Sequence, residues 1–282
     1  MKIPFKINLE GKTAVVTGAS GTLCSLMAKA LAECGASVAL IGRTRSKLEA
    51  VAEEISADGG IAAAFPADVM DRTALEKAKE EINGRFGPVD ILINGAGGAD
   101  IAANTDNEYY EEGDLMRDMQ NFFNLPKENY QKVFNVNYMG TVLPTQVFAQ
   151  DMVLKKSGSI INISSINYIR PLTKIPAYSS AKAAIASLTS WLAVYLSKVG
   201  VRVNCIAPGV FLSAQNEWML YNNDGTPTHR TEKILRTTPL GRFGNPEELL
   251  GGLLYLLSDE GASFVTGQVL AIDGGFTTYS GV

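Results

Sequence analysis

Short β-branched runs that alternate with helix-period segments constrain this chain more than any other feature of its sequence. The pattern predicts strands over residues 13–17 (TAVVT), 37–41 (SVALI), 61–65, 89–93, 159–164, 201–207 and 269–272. Between them, apolar-periodic segments predict helices over residues 23–34, 46–56, 71–86, 177–198 and 246–258, with a long one starting near Pro126. Strands joined through helices need crossover connections, and these are right-handed, so the strands lie parallel with helices on both faces. The expectation is an α/β fold, a doubly wound parallel sheet of Rossmann type. The 282 residues, 46% hydrophobic, suffice for one large core. No linker, repeat or low-complexity run divides them, so residues 1–282 read as a single domain. Ligands of such sheets bind beyond the carboxyl ends of the strands, where the loops of interest below all lie.

A formal net charge of −4, a pI near 5.2 and the absence of a basic cluster argue against nucleic acid or an anionic membrane as partner. No run approaches the roughly 18 apolar residues of a membrane span, and residues 1–9 lack the apolar core of a signal peptide, so a cytoplasmic protein is expected. Cys24, Cys34 and Cys205 have no CxxC spacing and read as small buried thiols. His229 is the only histidine, which leaves neither a histidine triad nor a zinc cluster, and no metal is expected.

Chemistry concentrates between Gly158 and Lys182, GSIINISSINYIRPLTKIPAYSSAK. The strand is left at Ser165, a loop with Pro171 and Pro176 follows, and a helix then carries Tyr178 and Lys182. Four residues apart on a helix, these two side chains leave the same face one turn apart. A cation beneath a phenol favours the phenolate, so the pair can give or take a proton nearer neutrality than a free phenol, which titrates near about 10. Ser165 adds a hydroxyl for the same reacting oxygen. Read alone, Tyr-x-x-x-Lys is also what an exposed helical pair looks like.

Other loops suit a nucleotide. The turn after the first strand, Gly18-Ala-Ser20-Gly21-Thr22-Leu23, opens a helix whose free N–H groups and dipole can hold a phosphate, although a plain strand-to-helix turn has the same form. The second strand ends in Gly42-Arg43-Thr44-Arg45 without the acidic residue that would accept from a ribose 2′-hydroxyl. Arg43, aided by Arg45, can pair instead with a 2′-phosphate, which favours NADP over NAD; the alternative is that both arginines are merely solvated.

Ser165, thirteen residues before Tyr178 and behind Asn-Ile-Ser-Ser, together with Lys182, resembles the short-chain dehydrogenase/reductase family. Matches run from Thr13 to Phe276: Thr17-Gly18 of TGxxxGxG, Asn94-Gly-Ala96-Gly97 for NNAG, Pro208-Gly209, and Asp273-Gly-Gly-Phe276. Thr22 and Cys24 stand where the later fingerprint glycines belong, and Gly95 where NNAG has its second asparagine. The resemblance implies catalytic roles for Asn137, Ser165, Tyr178 and Lys182. Asn137 would hold a helix kink and a proton relay, and Lys182 would also bind nicotinamide ribose. It implies cofactor contacts at Asp68-Val69 for adenine, at Asn94, Ala96 and Gly97, and at Pro208-Gly209 beside the nicotinamide. Homo-oligomers, dimeric or tetrameric, are usual in the family, and the alanine-rich helix over 177–198 is the expected interface.

Two stretches stand apart. Residues 98–126 are polar and acidic, too long for a simple connection, and read as a surface excursion, an oligomer contact or a lid. Residues 210–238 lose regular periodicity and read as the substrate lid. PLTKIPAYSSAKAA (171–184), GVFLSAQN (209–216), DGTPTHRT (224–231) and TPLGRFG (238–244) resemble the D-mannonate oxidoreductase, or fructuronate reductase, branch of the family. A sugar acid needs a cation for its carboxylate and polar groups for its hydroxyls. Arg170 or Lys174 would supply the first, and Asn167, Gln215 and Asn216 the second, with His229 and Arg230 as further polar candidates. Another keto-acid or polyol reductase, such as a gluconate 5-dehydrogenase, or a cofactor-binding protein without turnover, are the competing readings.

Overall fold

Seven parallel strands form one sheet in the order β3-β2-β1-β4-β5-β6-β7 in the computed structural model, which describes residues 7–212 and 220–281. They are β1 (Thr13–Thr17), β2 (Ser37–Gly42), β3 (Ile61–Pro66), β4 (Ile91–Asn94), β5 (Gly158–Ile163), β6 (Val201–Pro208) and β7 (Val269–Ile272). Every residue of β1 and β4 is buried, so these strands read as unbroken apolar runs with both faces covered. Successive residues serve opposite faces. Ala14, Val16, Val38 and Leu40 join one core, Val15, Ala39 and Ile41 the other.

The first core is closed by α1 (Thr22–Glu33), α2 (Arg45–Ala57) and α7 (Leu249–Leu257), through Met27, Leu31, Leu48, Ile55, Leu250 and Leu253. The second is closed by α3 (Arg72–Phe86), α4 (Lys127–Lys155) and α5 (Pro176–Tyr195), through Leu75, Ile82, Phe148, Met152 and Leu192. A shorter helix, α6 (His229–Thr237), is joined through Lys233 to Glu108 of the insertion described below. No helix among the described residues is long and apolar enough to cross a membrane.

Chain order reverses between β1 and β4, since β1 continues outward to β2 and β3 while β4 continues to β5, β6 and β7. Such a switch point splays the following loops apart and opens a crevice at the carboxyl ends. Registers bring those ends level: Thr17 pairs with Asn94, Asn94 with Asn162, and Pro208 with Ile272.

Several boundaries differ from the sequence expectation. β4 begins at Ile91 and not at Val89, because the Val89 N–H donates to the Asp151 carboxylate at 3.1 Å and the Asp90 N–H to the Thr13 carbonyl at 2.9 Å. Asp90 is buried under the strand starts, where its carboxylate accepts from the Thr13 N–H at 2.9 Å and pairs with Lys155. Pro176, expected in the loop, is the first residue of α5, a position whose N–H has no intrahelical partner in any residue. α5 stops at Tyr195 and a 3-10 turn, Ser197–Val199, follows before Gly200 at φ +71°. The helix expected over 246–258 divides into a turn, Pro246–Glu248, capped by Asn245, and α7.

Candidate active site

The crevice begins with the turn between β1 and α1. Thr17 closes it from below: its Oγ1 accepts the N–H groups of Gly95 at 3.0 Å and Ala96 at 3.2 Å. Gly18 has φ +66°, and a Cβ there would lie 2.9 Å from the Cα and N of Ala96, so only glycine lets the two loops touch. The Gly21 N–H turns back to the Gly18 carbonyl at 2.9 Å, and α1 starts at Thr22 with no side chain capping it. The first-turn N–H groups of α1 are thus left for an anion, beside a floor that a Cβ would fill; this suits the pyrophosphate of a dinucleotide. Ser20 is exposed, and Gly21, Thr22 and Leu23 are half-buried at the same turn.

The two departures from the family motifs meet here. A Cβ on Gly95 would lie 2.1 Å from the Cys24 Sγ, so the cysteine fills the space that a side chain at position 95 needs. A glycine exchanged for cysteine on α1 is matched by a glycine at the end of β4. The fingerprint glycine has also moved, since Gly21 makes the turn at whose end Thr22 begins the helix.

Further along, Arg43 is exposed at the end of β2 and makes no ion pair among the described residues, whereas Arg45 sits 3.6 Å from Glu49. Asp68 is exposed and accepts from the Met70 N–H at 2.9 Å. Val69 is buried against Gly140, whose missing side chain makes room for it. Asn94, expected to touch the cofactor, instead turns inward. It is 1% exposed, and its Nδ2 donates to Thr145 Oγ1 at 2.8 Å and to Asn162 Oδ1 at 2.9 Å, tying β4 to α4 and β5. Its Nδ2 braces the sheet, while its buried Oδ1 has no hydrogen-bond partner among the described residues; of the rest of that loop, Ala96 is half-buried and Gly97 exposed. Gly209, after Pro208, donates its N–H to the Ile272 carbonyl at 2.9 Å and lies so close to Asp273 that a Cβ would be 2.7 Å from its Cα.

Ser165, Tyr178 and Lys182 come together at the ends of β5 and the start of α5. The Lys182 Nζ lies 5.4 Å from the Tyr178 ring centroid and donates to the Ile163 carbonyl at 2.9 Å. No carboxylate pairs with it among the described residues, and burial pushes the ammonium down to about 8. The same burial pushes the flanking thiols up, Cys24 to about 11 and Cys205 to about 12, so they stay protonated and give the lysine no counter-charge. Tyr178 departs from expectation: burial raises the phenol above its ordinary value, and the Ser165 hydroxyl, not Lys182, is what pulls it back. Asn137 is fully buried and clamps the neighbouring loop. Its Nδ2 donates to the Gly98 carbonyl at 2.7 Å and the Val133 carbonyl at 2.8 Å, and its Oδ1 accepts from the Gly98 N–H at 3.2 Å. A Cβ on Gly97 would lie 2.4 Å from that Oδ1.

The expected substrate residues divide. Asn167 is 4% exposed and is committed inward to Ser165, Leu172 and Ser179, which leaves it no face toward a substrate. Arg170 is half-buried and donates to the Phe276 carbonyl at 3.2 Å, which fastens its loop to the C-terminal segment. Lys174, held at φ +73°, is half-buried on the rim. Gln215 and Asn216 lie outside the described residues, as does the rest of 213–219 within the expected lid. His229 and Arg230 begin α6, where His229 is 3.6 Å from Glu232.

Contacts across the rim were not visible in the sequence. Residues 98–126 carry only short 3-10 turns, Ile101–Ala103, Asp114–Met116 and Phe122–Asn124. Ala103 packs beside Ala177, Val133 and Tyr178, and the Thr105 N–H donates to the Lys174 carbonyl at 2.8 Å. Glu108 grips Lys233 of α6 through both oxygens at 3.0 Å; that bond, then the nearby Lys174 and His229, hold its carboxyl below the usual range. The insertion and the helix of the expected lid are therefore fastened to each other at the edge of the site.

Against known proteins, residues 12–223 match the family model described as short chain dehydrogenase. The chain is 51% identical to a candidate D-mannonate oxidoreductase of Haemophilus influenzae whose structure holds NAD, with a TM-score of 0.94 and 98% of each chain covered. It is 51% identical to the uncharacterized oxidoreductase UxuB of Bacillus subtilis, covering 99% of this chain and 100% of that one. A gluconate 5-dehydrogenase of Burkholderia cenocepacia, solved with NADP and tartrate, shares 26% identity and a TM-score of 0.82, with 96% and 97% covered.

The pairing of Cys24 with Gly95 makes a sharp prediction. Gly95→Asn alone drives a side chain into the thiol and lowers stability by about 1–3 kcal/mol, the usual cost of overpacking. Adding Cys24→Gly recovers most of the loss, so the two substitutions are strongly non-additive in urea unfolding. Additive losses would mean that the two positions do not share this space.

Proposed function

The chain belongs to the short-chain dehydrogenase family and is an oxidoreductase of CH–OH groups that uses a nicotinamide cofactor, and on that premise we propose that it interconverts D-fructuronate and D-mannonate. The observation that carries this reading is the 51% identity, over essentially the whole chain, to the candidate D-mannonate oxidoreductase. It is supported by Lys174, a half-buried cation in the loop between Ser165 and Tyr178, close enough to Glu108 to act on its carboxyl and of the charge a substrate carboxylate needs. The gluconate 5-dehydrogenase relative favours a second reading, reduction of a keto-gluconate by the same machinery.

Bound in the crevice, the cofactor supplies hydride transfer to or from the substrate carbon. Gly18, Ser20, Gly21, Thr22 and Leu23 would hold its pyrophosphate, Asp68 and Val69 its adenine, Ala96 and Gly97 its ribose, and Pro208 and Gly209 its nicotinamide end. Arg43, exposed and without an ion-pair partner among the described residues, supports a preference for NADP over NAD. In reduction, Tyr178 gives its proton to the alkoxide developing on the substrate, and Ser165 donates a hydrogen bond to the same oxygen. Lys182 holds a positive charge beside the phenol and binds nicotinamide ribose, so that its cost to the fold is offset when the site fills. Asn137 keeps the Gly97-Gly98 loop against the lysine and completes the route for the proton. The insertion, latched to α6 by Glu108 and Lys233, covers the substrate. Trp191 and Tyr195, stacked at 4.8 Å between centroids on the exposed face of α5 near Val194, support assembly into a homodimer or homotetramer through that helix.

The test is oxidation of NADPH and NADH by purified protein offered D-fructuronate, 5-keto-D-gluconate and a neutral keto-sugar separately. Fructuronate is expected to turn over at least about tenfold better in kcat/KM than the others, with NADPH the better cofactor, and Lys174→Ala to raise KM for the acid about tenfold with kcat little changed. Preference for the keto-gluconate would replace the substrate while leaving the mechanism, and equal use of the neutral sugar would remove the acid reading.

A further inference from the structure

Asn167 lies two residues past Ser165, in the 3-10 turn Ile166–Tyr168, and its amide orientation is fixed by its neighbours. The Leu172 N–H can only donate, and it points at one end of the amide at 2.8 Å; that end is therefore the oxygen, Oδ1. The Ser179 hydroxyl donates to the same oxygen at 3.0 Å. The other end is then Nδ2, and it points at the Ser165 Oγ at 3.0 Å. The Asn167 backbone N–H points at the same Oγ at 3.3 Å. A serine hydroxyl has two acceptor lone pairs and one proton. Both lone pairs are engaged by Asn167, which leaves the proton for an acceptor on the other side, and Tyr178 is the group there whose pKa a hydrogen bond with the Ser165 hydroxyl lowers.

We propose that Asn167 is a positioning residue that holds the Ser165 hydroxyl as a donor toward the reacting oxygen, and that it does so while joining the Ser165 loop to α5 one residue from Tyr178. This rests on the reading of Ser165 as the group that faces the substrate oxygen. All three serine and asparagine side chains are at least nine-tenths buried, so water does not compete for these bonds: Ser165 is 8% exposed, Asn167 4% and Ser179 6%. A hydroxyl free to rotate would spend part of its time accepting from the tyrosine instead of stabilising the developing alkoxide. Asn167 removes that alternative.

Asn167→Asp separates this role from loop-holding. One carboxylate oxygen keeps the bonds from Leu172 and Ser179, while the other replaces the Nδ2 donor with an acceptor and draws the Ser165 proton inward. The expected result is a kcat lower by about tenfold or more, with KM and cofactor affinity nearly unchanged. In the oxidation direction, the limb of the pH profile that reports the tyrosine moves to higher pH, as it does in Ser165→Ala. On a Ser165→Ala background, Asn167→Asp is expected to have no further effect on kcat. If the two losses multiply, or if Asn167→Asp leaves kcat unchanged, the proposal is wrong. Should Asn167→Asp fail to fold, Asn167→Ala serves the same cycle with a smaller deficit that likewise vanishes without Ser165. A wild type inert toward every acid offered would overturn the reading of function alone. The orientation of Ser165 is then decided by ultraviolet titration of Tyr178, taken as the difference from Tyr178→Phe. Asn167→Asp is expected to raise that titration, and an unmoved titration contradicts the proposal.

Discussion

An ammonium group buried against a neutral carbonyl governs the carboxyl end of this sheet. Lys182 reaches the Ile163 carbonyl with no carboxylate paired to it among the described residues, and the thiols on either side are pushed away from ionising by the same burial. Between pH 8 and the ordinary lysine value of 10.5, the unfolded chain holds a proton that the folded chain has released. Stability from this group therefore rises with pH across that window, and at neutrality the charge is carried at a cost to the fold. A protein retains such a charge where something that binds there uses it, which fits the roles proposed for Lys182 in binding nicotinamide ribose and for Tyr178 in proton transfer.

The surrounding parts make sense as supports for that arrangement. Asn137 and Gly97 pack so closely that no other residue fits at 97, which places the β4 loop over the lysine. Thr17 and Gly18 hold the first loop against Ala96, so that the turn opening α1 and the loop after β4 share one wall. Asn167 and Ser179 bind the serine loop to the helix of Tyr178. The insertion rests on the same helix through Ala103 and Ala177. Loops from β1, β4 and β5 thus converge on one small volume, the first two braced by close approaches that only glycine allows and the third by buried side-chain hydrogen bonds.

Much of this was legible in the chain. Short β-branched runs such as TAVVT and SVALI, separated by long helical segments, point to a parallel sheet almost by themselves, and Ser165, Tyr178 and Lys182 point to its chemistry through their resemblance to the family's catalytic set. What escaped was tertiary in origin. Asn94 matches a motif residue, yet only the fold shows that it faces Thr145 and Asn162 and not the crevice. Asn167 read as a polar group free for substrate, because its partners Leu172 and Ser179 are meaningful only once the loop has closed. The lowering of the phenol by Lys182, argued from helical spacing, gives way to desolvation, which spacing does not report. The exchange of bulk between Cys24 and Gly95 did leave a signal, two departures from motif in adjoining loops, but they lie 71 residues apart and only the sheet brings them together.

The central claim is that Tyr178 passes the proton, with Ser165 hydrogen-bonded to its phenol and Lys182 placed beside its ring. Tyr178→Phe removes one oxygen and leaves the ring that packs beside Ala103 and Ala177, so the fold and the cofactor cradle should survive. Measured with the preferred acid and cofactor, kcat should fall by about 10²-fold or more while the dissociation constant for the nicotinamide cofactor changes less than about twofold. An unchanged kcat would contradict the account, and so would a loss that lies wholly in cofactor binding.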